Sequence, residues 1–101
     1  MSFAELQHSV ARDPAPPADA APAVQALWHD ARGDWVAAHT CAQDDESAAG
    51  SWVHAYLHRK EGDLGNAGYW YARAGRTRPA AGTSLETEWA AIARALLETA
   101  S

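Results

Sequence analysis

VQALWHDARGDWVAAH, residues 24–39, is followed 29 positions later by VHAYLHRKEGDLGNAG, residues 53–68. The two stretches share Val, Ala, His, Gly, Asp and Ala in register, which indicates two copies of one structural unit. In each copy a helical apolar pattern ends at a Gly-Asp pair, where Gly tolerates a left-handed turn and Asp caps the next helix. Repeats of this length are typical of stacked helical hairpins. The repeat therefore predicts an all-α fold.

The helices predicted around the repeat form two hairpins and a final helix. The last helix has a single apolar stripe of Leu85, Trp89, Ile92 and Leu96, and Thr83 with Glu86 is predicted to form a capping box at its start. Stacked hairpins leave an apolar end that such a helix covers. We expect two stacked antiparallel helical hairpins plus a C-terminal capping helix, with helices at about 22–31, 35–44, 46–61, 64–74 and 84–98.

The chain is expected to divide into an N-terminal segment and one helical domain. Residues 1–21 contain a short helix or arm over about 3–10 and then the Pro/Ala linker DPAPPADAAP, which favours extended conformations. Residues 22–101 form the single domain, since 101 residues suffice for one modest core and no more. Two glycines in the fourth predicted helix, Gly65 and Gly68, are expected to mark the close approach of another helix.

The charge and the cysteine content exclude several classes of function. The net charge is −5. Residues 1–50 have a net charge of −6, and residues 51–101 have a net charge of +1. Because affinity for phosphates comes from concentrated positive charge, no nucleic-acid partner is expected. The lone Cys41 excludes an intramolecular disulfide. The sequence has no apolar run of signal-peptide or membrane-span length, so we expect a cytoplasmic protein with no membrane partner.

The second copy of the repeat carries a family pattern. It consists of GDLGNAGYWYARA, residues 62–74, followed by Pro79, and the first copy repeats its turn at Gly33, Asp34, Trp35 and Ala38. This pattern resembles the tetratricopeptide repeats, and among them the Sel1-like variety. The resemblance implies a scaffold that holds an extended peptide or a partner helix in a groove lined by the first helix of each hairpin. Binding of another copy of the chain is also expected, because two hairpins leave apolar ends to cover.

The groove residues that the resemblance implies are Trp52, Tyr56, Arg59 and Lys60. Their spacing also places them along one face of the third predicted helix. The two bases would hold a peptide carboxylate, and the two aromatic rings would take a side chain of the peptide. The alternative interpretation is that the two rings belong to the core and the two bases are solvated.

The histidines suggest a second kind of function, that of a small-molecule- or metal-binding protein. His54 and His58 lie one helical turn apart, and Glu61 follows three residues later, a spacing that presents two imidazoles and a carboxylate to one divalent metal such as Zn²⁺. His29 occupies the position in the first copy that is equivalent to His58 and is the fourth candidate ligand. The alternatives are hydrogen-bonded histidines between helices, or acid/base chemistry at His58. Since the sequence contains no recognisable reaction motif, an enzymatic activity is not the leading expectation and no catalytic residue is assigned.

Overall fold

The computed structural model describes residues 1–98, and within that range the chain forms six helices joined by turns and loops. This confirms the predicted all-α fold of stacked hairpins with a C-terminal helix. The helices are α1 (Phe3–Arg12), α2 (Pro22–Ala31), α3 (Trp35–Asp44), α4 (Ala48–Lys60), α5 (Leu64–Ala74) and α6 (Leu85–Glu98).

The two hairpins, α2 with α3 and α4 with α5, have the same turn. Gly33 and Gly62 have φ angles of +79° and +86°, values that L side chains rarely adopt. Asp34 and Asp63 then begin the second helix of each hairpin, and each side chain accepts the backbone amide three residues on, at 3.1 and 3.2 Å. The Gly-Asp pairs of the repeat therefore fix where each hairpin reverses direction.

The core lies between the hairpins and α6. Fully buried aliphatic residues come from α2, α4 and α6, among them Leu27, Val53, Leu57 and Ile92. The packing of α3 against α4 joins the two hairpins. α6 packs against both α2 and α4. The C-terminal helix thus covers the first helices of both hairpins. Among the described residues, no helix is long and apolar enough to cross a membrane.

The N-terminal segment is helical from Phe3 and packs onto the repeat. Leu6 is fully buried in the main core, and the Trp28 indole donates a hydrogen bond to the Ser9 hydroxyl at 3.0 Å. Phe3 meets the Trp89 ring of α6 edge-on, with ring centroids 6.1 Å apart. Of the two predicted alternatives for this segment, the chain forms the helix, and the helix contributes to the core.

Two local predictions differ from the structure. α6 begins one residue later than the Thr83 capping box requires, so Ser84 is the residue whose hydroxyl accepts an amide, that of Thr87 at 3.0 Å. The Thr83 carbonyl instead accepts a hydrogen bond from the Arg59 guanidinium. Gly68 faces the guanidinium of Arg78 from the following loop rather than another helix, and Gly65 faces open space.

Candidate metal centre

Three histidines from two helices converge at the junction of the hairpins. His39 comes from α3, His54 and His58 come from α4, and one ring nitrogen of each lies within 4.8 Å of the others. The ring centroids are 4.6 Å apart for His39 and His54, 4.8 Å for His54 and His58, and 5.5 Å for His39 and His58. We call these three residues the histidine group.

The helical repeat explains how the histidine group forms. His54 and His58 are one turn apart on α4, so their rings stack with an interplanar angle of 20°. α3 packs against α4 and brings His39 to them almost at right angles, with interplanar angles of 88° to His54 and 80° to His58. His54 and His58 are buried, whereas His39 is half-buried and gives the group access to solvent.

A carboxylate orients one of the three imidazoles. Glu61 Oε1 lies 2.7 Å from Nδ1 of His58. An Nδ1–H that donates to a carboxylate leaves Nε2 as the free nitrogen of the ring, which is the arrangement that fixes metal-binding histidines in proteins. Glu61 therefore selects the tautomer of His58 that has a lone pair at Nε2.

Two indole rings enclose the histidine group. Trp35 stacks on His39 with centroids 4.8 Å apart, and Trp70 stacks on His54 with centroids 4.0 Å apart. The Trp35 indole donates a hydrogen bond to the Leu57 carbonyl at 3.1 Å, which fixes that ring against α4. The imidazoles are thus positioned by aromatic packing as well as by the helices.

The electrostatic environment favours the neutral form of His39 and His54. Burial, with smaller contributions from the neighbouring His39 and His58, lowers the pKa of His54 to about 4. Burial also lowers the pKa of His39, helped by the charge of His58 and opposed by Glu61. Within residues 1–98 the structure gives no hydrogen bond to the ring nitrogens of His39 or His54. At neutral pH their lone pairs are available to a metal ion.

The predicted metal ligands are only partly brought together. His54, His58 and Glu61 lie side by side, as their spacing on one helix indicates. His29 lies against the edge of the Trp28 ring and belongs to neither of the ligand groups in the described residues. The third imidazole is His39, which sequence reasoning missed because its position depends on how α3 packs against α4. A second group, which shares His58, is completed by Glu61 and Asp63.

The four predicted groove residues have partners within the chain. Tyr56 is buried and its hydroxyl donates to Asp30 at 2.7 Å, and the Lys60 ammonium donates to the other Asp30 oxygen at 2.8 Å. Two more contacts complete the set: the Arg59 guanidinium donates to Glu88 at 2.9 Å, and the Arg76 guanidinium lies 3.8 Å above the half-buried Trp52 ring.

A cleft of about 660 Å³ lies between α1, α2, α4 and α6. Two of the four predicted groove residues, Tyr56 and Lys60, line it together with Asp30. Its volume is in the range of ligand-binding pockets. The aromatic rings of Phe3 and Trp89 and the exposed carboxylate of Glu86 also face it.

Comparison of the chain with protein-family models, curated proteins and solved structures finds no match. The resemblance to tetratricopeptide repeats therefore stays a prediction, and the function is argued from the geometry of the chain.

Proposed function

We propose that this protein binds one divalent transition metal ion of the Zn²⁺ class at His39, His54 and His58. The observation that carries the proposal is the convergence of three imidazoles, one of them held by a carboxylate, at a helix junction. Imidazole nitrogen is a preferred ligand of Zn²⁺, Cu²⁺ and Ni²⁺. Three protein ligands plus one position for solvent is a common coordination of Zn²⁺.

The separations suit a metal-free form of such a site. Zn²⁺ binds imidazole nitrogens at about 2.0–2.1 Å, so two ligands on one ion lie roughly 3.4 Å apart in tetrahedral geometry. The nitrogens of the histidine group lie within 4.8 Å of one another. Side-chain torsion changes at His39, His54 and His58 are the movements that would close that difference.

The alternative interpretation, that these histidines only pack between helices, explains fewer of the observed contacts. A structural histidine between helices normally satisfies its ring nitrogens with protein hydrogen bonds. Among the described residues, only His58 of the group has such a bond, to Glu61. Stacking on Trp35 and Trp70 explains the ring positions of the other two histidines, whose ring nitrogens have no hydrogen-bond partner in the described chain and are open to an ion from solvent.

The test is metal binding by a matched pair of variants. Native mass spectrometry of chelator-free protein with added Zn²⁺ is expected to show one ion per chain. His39→Asn is expected to weaken Zn²⁺ binding by at least about 100-fold, since losing an outer-shell partner alone typically costs 10- to 100-fold. His29→Asn is the control because His29 lies outside the histidine group. Equal Zn²⁺ affinity for the two variants would contradict the proposal.

A second function is favoured by the cleft, which offers aromatic and charged side chains to a protein segment or to another copy of the chain. We propose that the chain self-associates through this cleft. Sedimentation over a range of protein concentrations tests the proposal. Glu86→Lys reverses an exposed charge at the cleft and is expected to change the association constant. Glu46→Lys, at an exposed acid that does not line the cleft, is the control, and a monomer at all concentrations would exclude self-association.

A further inference from the structure

The connection between α4 and α5 carries two exposed carboxylates beside the proposed metal centre. Glu61 and Asp63 each place a carboxylate oxygen within 4.8 Å of a ring nitrogen of His58 and of each other. Both acids are exposed, whereas His58 is buried. We call His58, Glu61 and Asp63 the entry group.

We propose that the entry group captures a divalent cation from solvent and passes it to the histidine group through their shared residue, His58. The inference rests on the proposed function, because it gives that metal centre its loading route. The two groups together form a path from exposed carboxylates to buried imidazoles.

The shared imidazole makes the transfer chemically possible. His58 has two ring nitrogens, and Nδ1 lies 2.7 Å from Glu61. An ion held by the carboxylates can bind Nδ1 once the single imidazole proton has moved from Nδ1 to Nε2 through water. When the ion passes to the histidine group the proton returns to Nδ1, which frees the lone pair of Nε2 for the ion.

The ligand types of the two groups favour transfer from the entry group to the histidine group. Carboxylate oxygens suit hard, hydrated cations and attract them by charge, whereas imidazoles suit Zn²⁺ and its transition-metal neighbours. Hydrogen bonds from the Asn66 backbone and side chain, at 3.2 and 2.8 Å, hold the Asp63 carboxylate at the turn beside His58. An ion is therefore attracted first by charge and then retained by the softer nitrogen ligands.

The first copy of the repeat provides an internal comparison. Its turn also has a capping aspartate, Asp34, and a histidine, His29, but Arg32 stands at the position of Glu61. That turn places a positive charge where the entry group has a negative one. Asp34 and Asp63 share their capping role but only Asp63 belongs to an entry group, so the two residues form a matched pair for mutation.

The experiment measures the rate of Zn²⁺ association by stopped flow at low ionic strength, with wild type, Asp63→Asn and Asp34→Asn. Asn caps a helix about as well as Asp, so both variants keep their turns. Asp63→Asn is expected to slow association about three- to tenfold, the size of one carboxylate–dication interaction across several ångströms of water. Asp34→Asn is expected to associate at the wild-type rate, and the equilibrium affinity of Asp63→Asn should change by less than the rate.

Three results would overturn this inference alone and leave the proposed function standing. Equal association rates for Asp63→Asn and Asp34→Asn would exclude capture by the entry group. Two ions per chain would make the entry group a resident site, and an affinity loss equal to the rate loss would show no separate capture step. Wild-type protein that binds no Zn²⁺ would overturn the proposed function as well, and equilibrium titration distinguishes that result from the other three.

Discussion

Asp30 is a buried carboxylate that links the first helices of the two hairpins. It is 4% exposed, and its two oxygens accept hydrogen bonds from the Tyr56 hydroxyl and the Lys60 ammonium of α4. Burial, with a further contribution from the bond to Asp30, raises the pKa of Tyr56, so that the hydroxyl remains a donor at all ordinary pH values. Removing one partner of a buried carboxylate lowers stability, because the remaining buried polar groups are left without hydrogen bonds.

Asp30→Ala is therefore expected to lower the free energy of unfolding by about 2–4 kcal/mol, because it leaves the buried Tyr56 hydroxyl without an acceptor and the Lys60 ammonium without its counter-ion. Tyr56→Phe removes one donor and leaves Asp30 paired with Lys60, so its expected cost is about 1 kcal/mol. Urea denaturation of both variants measures the difference. Equal losses for the two substitutions would show that Asp30 is not the centre of the network.

Contacts between residues on different helices could not be predicted from the sequence. His54, His58 and Glu61 were predicted to lie together because their spacing on a single helix fixes their face. His39 and Asp30 were not assigned to a site, since their partners lie on another helix and the contact depends on tertiary packing. The repeat register offers no help with Asp30, whose equivalent in the second copy is Arg59.

α5 is the helix whose sequence least favours helix formation, since it contains two glycines. Gly65 is exposed, and a Cβ added there would meet nothing within 4 Å. A Cβ added at Gly68 would lie 2.0 Å from the nearer terminal nitrogen of the Arg78 guanidinium. One glycine therefore only weakens the helix, and the other makes room for a side chain of the following loop.

Gly65→Ala is expected to stabilise the protein by about 0.5–1 kcal/mol, the difference in helix propensity between the two residues. Gly68→Ala has the same propensity gain but must displace Arg78, so it is expected to gain less. Thermal unfolding of the two variants side by side measures both effects. A larger gain from Gly68→Ala than from Gly65→Ala would contradict the role assigned to the Arg78 contact.

The helix boundaries could be predicted because local chemistry determines them. Gly33 and Gly62 supply the left-handed turn, and Asp34 and Asp63 cap the second helix of each hairpin, whatever the rest of the chain does. The start of α6 was misplaced by one residue, because the adjacent hydroxyls of Thr83 and Ser84 are both suitable caps. Arg59, a residue distant in sequence, uses the Thr83 carbonyl, and no local pattern contains that information.

At the scale of the whole molecule, the proposed metal ion would join the two hairpins. His39 belongs to the first hairpin and His54 and His58 belong to the second, so one ion would cross-link α3 and α4. The same junction is otherwise held by side-chain packing and by the hydrogen bond from the Trp35 indole of α3 to the Leu57 carbonyl of α4. An ion that binds the folded chain and not the unfolded chain stabilises the fold by mass action.

Zn²⁺ at 100 times its dissociation constant is therefore expected to stabilise the fold by about 2.7 kcal/mol. For a domain of this size that corresponds to a rise in Tm of roughly 10–20 °C, since 1 kcal/mol shifts Tm by about 4–8 °C. EDTA should reverse the rise, and Mg²⁺, which prefers oxygen ligands, should not reproduce it. His39→Asn should lose the response to Zn²⁺ while His29→Asn keeps it, because only His39 supplies a ligand from the first hairpin. A Tm that rises equally in both variants would place the ion elsewhere on the chain and remove the cross-link between α3 and α4.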